Sequence, residues 1–214
     1  MKDSIIPLFP IPISRIIVPN KLASIIPFLD SQEMNSDDPN KEGLKNYGSR
    51  SKNTYILNES KCKLFKDFIL DNVKKYSFEI LGTYEREYKL AQSWISHKDP
   101  GQSHVEHTHP NSYISGVFYY GDAKDSTPSI QFHSPLHKMN QQIYVPLNMD
   151  KPSNEFNYNT FSIPYEPGTL VLFPSWLPHS VPINNTSQVR KSLSFNCVPL
   201  NNLGNEEDLT ELKF

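Results

Sequence analysis

The run His104-Val105-Glu106-His107-Thr108-His109 places four potential metal ligands within six consecutive residues. Residues i and i+2 of a strand face the same side. His104 with Glu106, or His107 with His109, can therefore grip one ion from one face. A regular strand lets only one of the two pairs do so. Seventy residues beyond His109, Phe173-Pro-Ser-Trp-Leu-Pro-His179 offers a distant third ligand, and Arg190-Lys-Ser192 follows. Two local ligands and one distant ligand leave three adjacent positions of an octahedral ion open. That pattern suits a mononuclear iron(II) site with an anionic cosubstrate. A structural zinc site closes all four of its positions, usually with cysteines. Here Cys62 and Cys197 are the only cysteines and form no CxxC pair.

The rest of the chain predicts a strand-rich frame for such a site. It has 214 residues, enough for one substantial domain, and carries 11 Tyr, 12 Phe and 18 Pro. Turn residues punctuate short runs of β-favouring residues from about residue 88 onward. The expected strands are Tyr88–Ser96, Ser112–Tyr120, Ser129–His133, Gln141–Val145, Asn159–Ile163, Thr169–Phe173, His179–Ile183 and Arg190–Val198. Eight short strands after a helical segment predict a mainly β fold with N-terminal helices. Its core would be a double-stranded β-helix, a cupin-like jelly roll whose mouth is a natural ligand site. The domain expectation is one unit over 1–214, with the jelly roll at about 88–198 and a supporting part at 1–87.

In that supporting part, Leu64, Phe65, Phe68, Ile69, Asn72, Val73 and Tyr76 trace one helical face, with Asn58 or Ser60 as candidate caps. A weaker helix is expected over Asn20–Phe28, limited at its end by Pro27. The polar stretch Ser31–Asn53 reads as a surface loop. The Pro-broken apolar start, Ile5 to Ser14, reads as an extended edge segment laid on the core. It is also the feature compatible with a homodimer.

Several function classes lose support at this stage. A net charge of −2 makes no electrostatic case for nucleic acid or an anionic membrane. No apolar run has the length of a membrane span, and no signal-peptide pattern opens the chain. A reducing cytoplasm, of a bacterium or a phage-infected cell, is the expected compartment. Phosphate-binding loops, a GxSxG elbow, HExxH and an EF-hand loop do not occur.

His107-Thr-His109-Pro-Asn-Ser-Tyr-Ile-Ser-Gly-Val-Phe-Tyr-Tyr resembles the signature of a family of 2-oxoglutarate/iron(II)-dependent oxygenases found in bacteria and marine phages. Further matches are Leu8-Phe-Pro-x-Pro12, Trp94, Phe173-Pro-Ser-Trp-Leu-x-His179-x-Val181 and Arg190-x-Ser-x-Ser-Phe-Asn196. The resemblance implies a dioxygenase that uses Fe(II), 2-oxoglutarate and O2. Such an enzyme hydroxylates a substrate and releases succinate and CO2.

The resemblance places the ligand pair on His107 and His109, with His179 third. The second position is then His where the wider superfamily has Asp or Glu. Glu106 stays as an alternative ligand if the strand bulges. Arg190 would anchor the far carboxylate of 2-oxoglutarate through two parallel hydrogen bonds. Ser192, at i+2, would face the same way, and Lys191 would face out. Tyr113 and Tyr119 share odd parity with His107 and His109, and Tyr119 is counted among the cosubstrate residues.

The remaining candidates read as ordinary structure. His97, His133 and His137 are expected not to be ligands. Trp94 and Trp176 are expected as wall aromatics. Ser115 and Asn196 are expected to satisfy neighbours. The prime substrate, a small molecule or a peptide side chain, is not encoded in any motif. Two other readings stay open: a jelly roll that binds metal or ligand without turnover, and a three-histidine dioxygenase that takes no 2-oxoglutarate.

Overall fold

The computed structural model describes residues 9–35, 47–122, 127–136 and 158–213. Eleven strands among these residues form two antiparallel sheets. In chain order they are β1 (Ser14–Ile17), β2 (Met34–Asn35), β3 (Ser49–Ser51), β4 (Tyr88–Lys98), β5 (His104–His107), β6 (Ile114–Tyr120), β7 (Ile130–His133), β8 (Thr160–Ile163), β9 (Thr169–Pro174), β10 (His179–Val181) and β11 (Arg190–Pro199). The large sheet has the order β1-β9-β6-β11-β4-β3-β2, and the small one β5-β10-β7-β8. This is the jelly roll expected from the strand spacing. Of the expected strands, Gln141–Val145 falls outside the described residues, as does His137.

Strand alternation sorts the large sheet into two faces. Ile114, Phe118, Tyr120, Leu170, Leu172, Leu193 and Phe195 join Phe65, Ile69 and Val73 of helix α2 (Lys63–Lys75) in one core. Their strand neighbours Val117, Tyr119, Val171 and Phe173 turn the other way and pack with Ile130, Phe132 and Ile163 of the small sheet. The second face also carries the polar side chains that matter below.

The N-terminal part departs from expectation in four places. Helix α2 begins at Cys62 without a side-chain cap, because a 3-10 turn, Ser60–Cys62, runs directly into it. Leu64, assigned to the buried face, is 73% exposed, since the packed stripe is Phe65, Ile69, Val73 and Tyr76. Pro27 opens the short helix α1 (Ile26–Asp30) at its first turn, where a missing N–H costs nothing, and a 3-10 turn, Asn20–Ile25, precedes it. The stretch read as a surface loop contributes β2 and β3, which extend the large sheet beyond β4.

Of the apolar start, residues 5–8 lie outside the described residues, and the edge strand begins at its last residue, Ser14. β1 pairs with β9 through Ser14–Leu172 to Ile17–Thr169, and Ile11 and Ile13 pack on the inter-sheet core. No helix among the described residues is long and apolar enough to cross a membrane.

Candidate functional site

β5 ends on His107, which lies opposite His179 of β10. His109 lies two residues beyond the strand. Its backbone N–H donates to the Ser175 carbonyl at 3.0 Å, and the Ser175 N–H donates to the Tyr113 carbonyl at 3.1 Å. The turn between them passes through Asn111, whose φ of 55° is a left-handed conformation that asparagine tolerates. Hydroxyls then lock the turn to the sheet. Ser175 donates to Ser112 at 2.7 Å, Ser115 lies 2.8 Å from Ser175, and Ser115 also reaches Asn196 Oδ1 at 2.8 Å. Ser115 and Asn196 satisfy neighbours, as expected of buried strand polars.

One ligand atom from each of His107, His109 and His179 falls within 4.8 Å of the others. The rings are held for coordination. His107 Nδ1 is 2.8 Å from the Val105 carbonyl, and His179 Nδ1 is 2.9 Å from the Leu177 carbonyl. Each such bond favours the proton on Nδ1 and leaves the Nε2 lone pair available. The Nε2 atoms of His109 and His179 stand 3.1 Å apart. Burial, with mutual repulsion, pushes His179 down to about 3 and His109 down to about 4. Burial also lowers His107, opposed by its bond to Val105. All three are therefore neutral imidazoles at ordinary pH, the form that binds a metal. The donor set and its outer hydrogen bonds fit a divalent ion.

Glu106 does not join this cluster. Its carboxylate is half exposed and lies 3.5 Å from His133 Nδ1. His104 does enter the cavity, contrary to the strand-parity expectation that its pair and the His107 pair exclude one another. The register between β5 and β10 shifts between His107–His179 and His104–Val181, three residues on one strand against two on the other. This bulge brings His104 beside His107, with ring centroids 4.5 Å apart.

Arg190 opens β11 and is 3% exposed. Its Nε donates to the Pro128 carbonyl at 2.9 Å and its Nη1 to Ser192 Oγ at 3.2 Å. The Tyr119 and Tyr165 rings, packed on each other at 4.7 Å, lie beside it on one side at 5.1 and 5.5 Å. No carboxylate pairs with it among the described residues. The Tyr119 hydroxyl is fully buried and meets no partner at full hydrogen-bond geometry among the described residues; burial raises its pKa, opposed by the nearby Arg190 guanidinium and the Ile130 backbone, so it stays neutral. A buried guanidinium beside a buried neutral hydroxyl fits a small dianion such as 2-oxoglutarate. Lys191 turns to the other face and pairs with Asp30 at 2.7 Å. Tyr113 does not reach the pocket; it is partly exposed and stacks on Tyr88.

Sequence reasoning passed over Lys98 and Tyr165. Lys98 is 3% exposed, lies directly opposite Arg190 in the sheet, and donates to Ser96 Oγ at 3.0 Å and to the Tyr47 carbonyl. It shares parity with Trp94 and Ser96, so alternation along β4 was the available signal. Trp94 faces His109 at 6.0 Å between ring centroids, and Phe173 faces His179 at 4.8 Å. Trp176 is 55% exposed.

His104, the three clustered histidines, Lys98, Arg190 and Ser192 line one narrow cavity of about 70 Å³. A larger hollow of about 1080 Å³ lies against Phe78, Tyr84, Tyr113 and Leu200 and contains none of these histidines. Chemistry rather than volume therefore identifies the site.

Residues 92–196 match the family described as "Putative 2OG-Fe(II) oxygenase". No curated protein matches the chain by sequence. Among solved structures, a Pseudomonas putida prolyl-4-hydroxylase is similar at a TM-score of 0.55 and 14% identity, over 87% of this chain and 92% of that one. HygX from Streptomyces hygroscopicus, with nickel, 2-oxoglutarate and hygromycin B bound, is similar at 0.56 and 11%, over 88% and 83%. A 2OG-Fe(II) oxygenase family oxidoreductase from Burkholderia pseudomallei gives 0.52 and 16%, over 82% and 76%. At these identities the likeness is one of fold.

Proposed function

We propose that the chain, which matches the 2OG-Fe(II) oxygenase family through residues 92–196, hydroxylates a small molecule or a peptide side chain at the three-histidine cavity. The balanced reaction takes substrate C–H, O2 and 2-oxoglutarate to substrate C–OH, succinate and CO2. The observation that carries the reading is the juxtaposition of three neutral histidines with the buried Arg190 in one cavity. When bound, iron(II) and 2-oxoglutarate supply the oxidising chemistry that inserts one oxygen atom.

Within this reading His107, His109 and His179 hold the metal. Nδ1–H bonds to the Val105 and Leu177 carbonyls orient two of the rings. Neutral ligands leave the full 2+ of the ion uncompensated, and Arg190 adds a further positive charge. A dianionic cosubstrate offsets that excess. Arg190 binds the far carboxylate, and Tyr119 and Ser192 add hydroxyl donors. Tyr165 packs against Tyr119 on the same side of the guanidinium, and its own hydroxyl bonds to the Tyr120 and Lys191 carbonyls. Trp94 and Phe173 wall the histidines and exclude water. The whole chain is taken as one oxygenase domain, with residues 1–87 supporting a core at about 88–198. The two free cysteines suit the cytoplasm of a bacterium or phage-infected cell.

The test is succinate formation by purified protein with iron(II), ascorbate and 2-oxoglutarate. Turnover without prime substrate is expected, along with a charge-transfer absorption band when iron and 2-oxoglutarate are combined anaerobically. Absence of both would overturn the reading. A metabolite and peptide screen coupled to succinate release would then find the substrate.

A further inference from the structure

We infer that His133 is a positioning residue for the metal site, acting from outside the cavity by tying together the strands that carry His107 and His179. The inference rests on the reading of His107, His109 and His179 as ligands.

β5 is the outer strand of the small sheet, and it meets β10 at two register pairs with a bulge between them. Main-chain bonding therefore holds it weakly, yet it delivers His107. His133 sits on β7, on the other flank of β10. Its Nε2 lies 2.8 Å from Ser180 Oγ, and its Nδ1 lies 3.5 Å from the Glu106 carboxylate. With the proton on Nδ1, the ring points its N–H toward Glu106 and accepts from the Ser180 hydroxyl. Ser180 is the chain neighbour of His179, and Glu106 is the chain neighbour of His107. One imidazole thus reaches across β10 to β5 and touches the residue beside each of two ligands. Its own backbone is fixed to the same region, because the His133 N–H donates to the Pro178 carbonyl at 2.9 Å.

None of Glu106, His133 and Ser180 lines the metal cavity. Alternation places Glu106 and Ser180 on the opposite face of their strands from His107 and His179. A half-exposed contact of this kind adds little to global stability. Its leverage is geometric, since a metal site works only with its ligands held to within about 0.5 Å. On that opposite face the same contact gives the Glu106 carboxylate its partner.

The experiment uses the full chain with cobalt(II) alone as probe. It measures the dissociation constant and the visible absorption spectrum of the bound ion, and separately the melting temperature of the metal-free protein. His133→Ala is expected to weaken cobalt binding about tenfold, the lower end of the effect of outer groups on metal ligands, and to change the band shape. Glu106→Gln and Ser180→Ala should each reproduce part of the effect. Adding Glu106→Gln to His133→Ala should cost less than Glu106→Gln alone, because the two act through one contact. A residue that merely stabilised the fold would lower the melting temperature and leave the spectrum of the folded cobalt form unchanged; that result overturns the inference. If His133→Ala does not fold, the two milder variants decide, and wild-type affinity and spectrum in both overturn it. His107→Ala tests the ligand set separately. Cobalt binding that survives that change removes the reading beneath; its loss, with His133→Ala unaffected, rejects only the role of His133.

Discussion

The Tyr119 ring stands 5.1 Å from the Arg190 guanidinium, and its buried hydroxyl, close to Arg190 and the Ile130 backbone, meets no partner at full hydrogen-bond geometry among the described residues. Leaving such a group unpaired costs about 1–3 kcal/mol. Tyr119→Phe should therefore leave the ligand-free protein as stable as wild type, or more so. It should also weaken 2-oxoglutarate by about tenfold or more, the loss of one bond of about 1.5–3 kcal/mol to a charged group. Thermal melts with and without 2-oxoglutarate check both signs. A large loss of stability without ligand would count against the buried hydroxyl as a cosubstrate donor.

Arg190→Ala removes the charge that the cosubstrate carboxylate would meet. Two charge-assisted hydrogen bonds at about 1.5–3 kcal/mol each predict at least about a hundredfold loss of 2-oxoglutarate affinity. Metal affinity should be retained. Titration calorimetry with nickel and with 2-oxoglutarate separates the two. Oxygenase activity that survives this change would point to a three-histidine dioxygenase that takes no 2-oxoglutarate.

His109→Asp exchanges one neutral imidazole of the cluster for a carboxylate. It should keep one metal per chain and keep uncoupled succinate formation. His179→Ala should lose both. Metal analysis of protein purified without added ions, followed by an iron-loaded assay, gives the comparison.

Gly116 lies in the middle of β6. A Cβ there would meet Phe195 Cζ at 2.2 Å and Leu172 Cδ2 at 2.9 Å. Gly116→Ala should destabilise the protein by about 1–3 kcal/mol, the usual cost of overpacking a dense core. Equilibrium urea unfolding measures it, and a neutral result would mean that Phe195 can move aside.

Cys62 and Cys197 are fully buried. Burial, with Glu59 nearby, pushes the Cys62 thiol up to about 11, and burial raises Cys197 further. The reactive thiolate is therefore scarce at pH 8 in the folded protein. Alkylation by iodoacetamide should be slow in the native state and fast in denaturant. Rapid native labelling of either thiol would contradict its placement in the core.

Much of the frame was legible because alternation and turn residues act locally. Residues 190 and 192 face the cavity and Lys191 faces away, as period-2 alternation requires. Helix α2 buries Phe65, Ile69 and Val73 at helical spacing, though Leu64 shows that the edge of an apolar stripe is set by what packs against it. β2 and β3 were hidden in a polar stretch, since a two- or three-residue edge strand forms by pairing with a neighbour rather than by its own propensity.

By itself the sequence determined the chemical kinds at the site: three histidines in two segments, an arginine on a late strand, and a strand period that points alternate side chains together. Which of the clustered groups meet was decided only by the fold. A bulge between β5 and β10 brings His104 beside His107, and Glu106 meets His133 on the outer face. Alternation along β4 gives Lys98 the face of Trp94 and Ser96, but only the pairing of β4 with β11 sets it opposite Arg190. Register shifts and cross-strand neighbours depend on partners distant in sequence, so no local pattern along the chain records them.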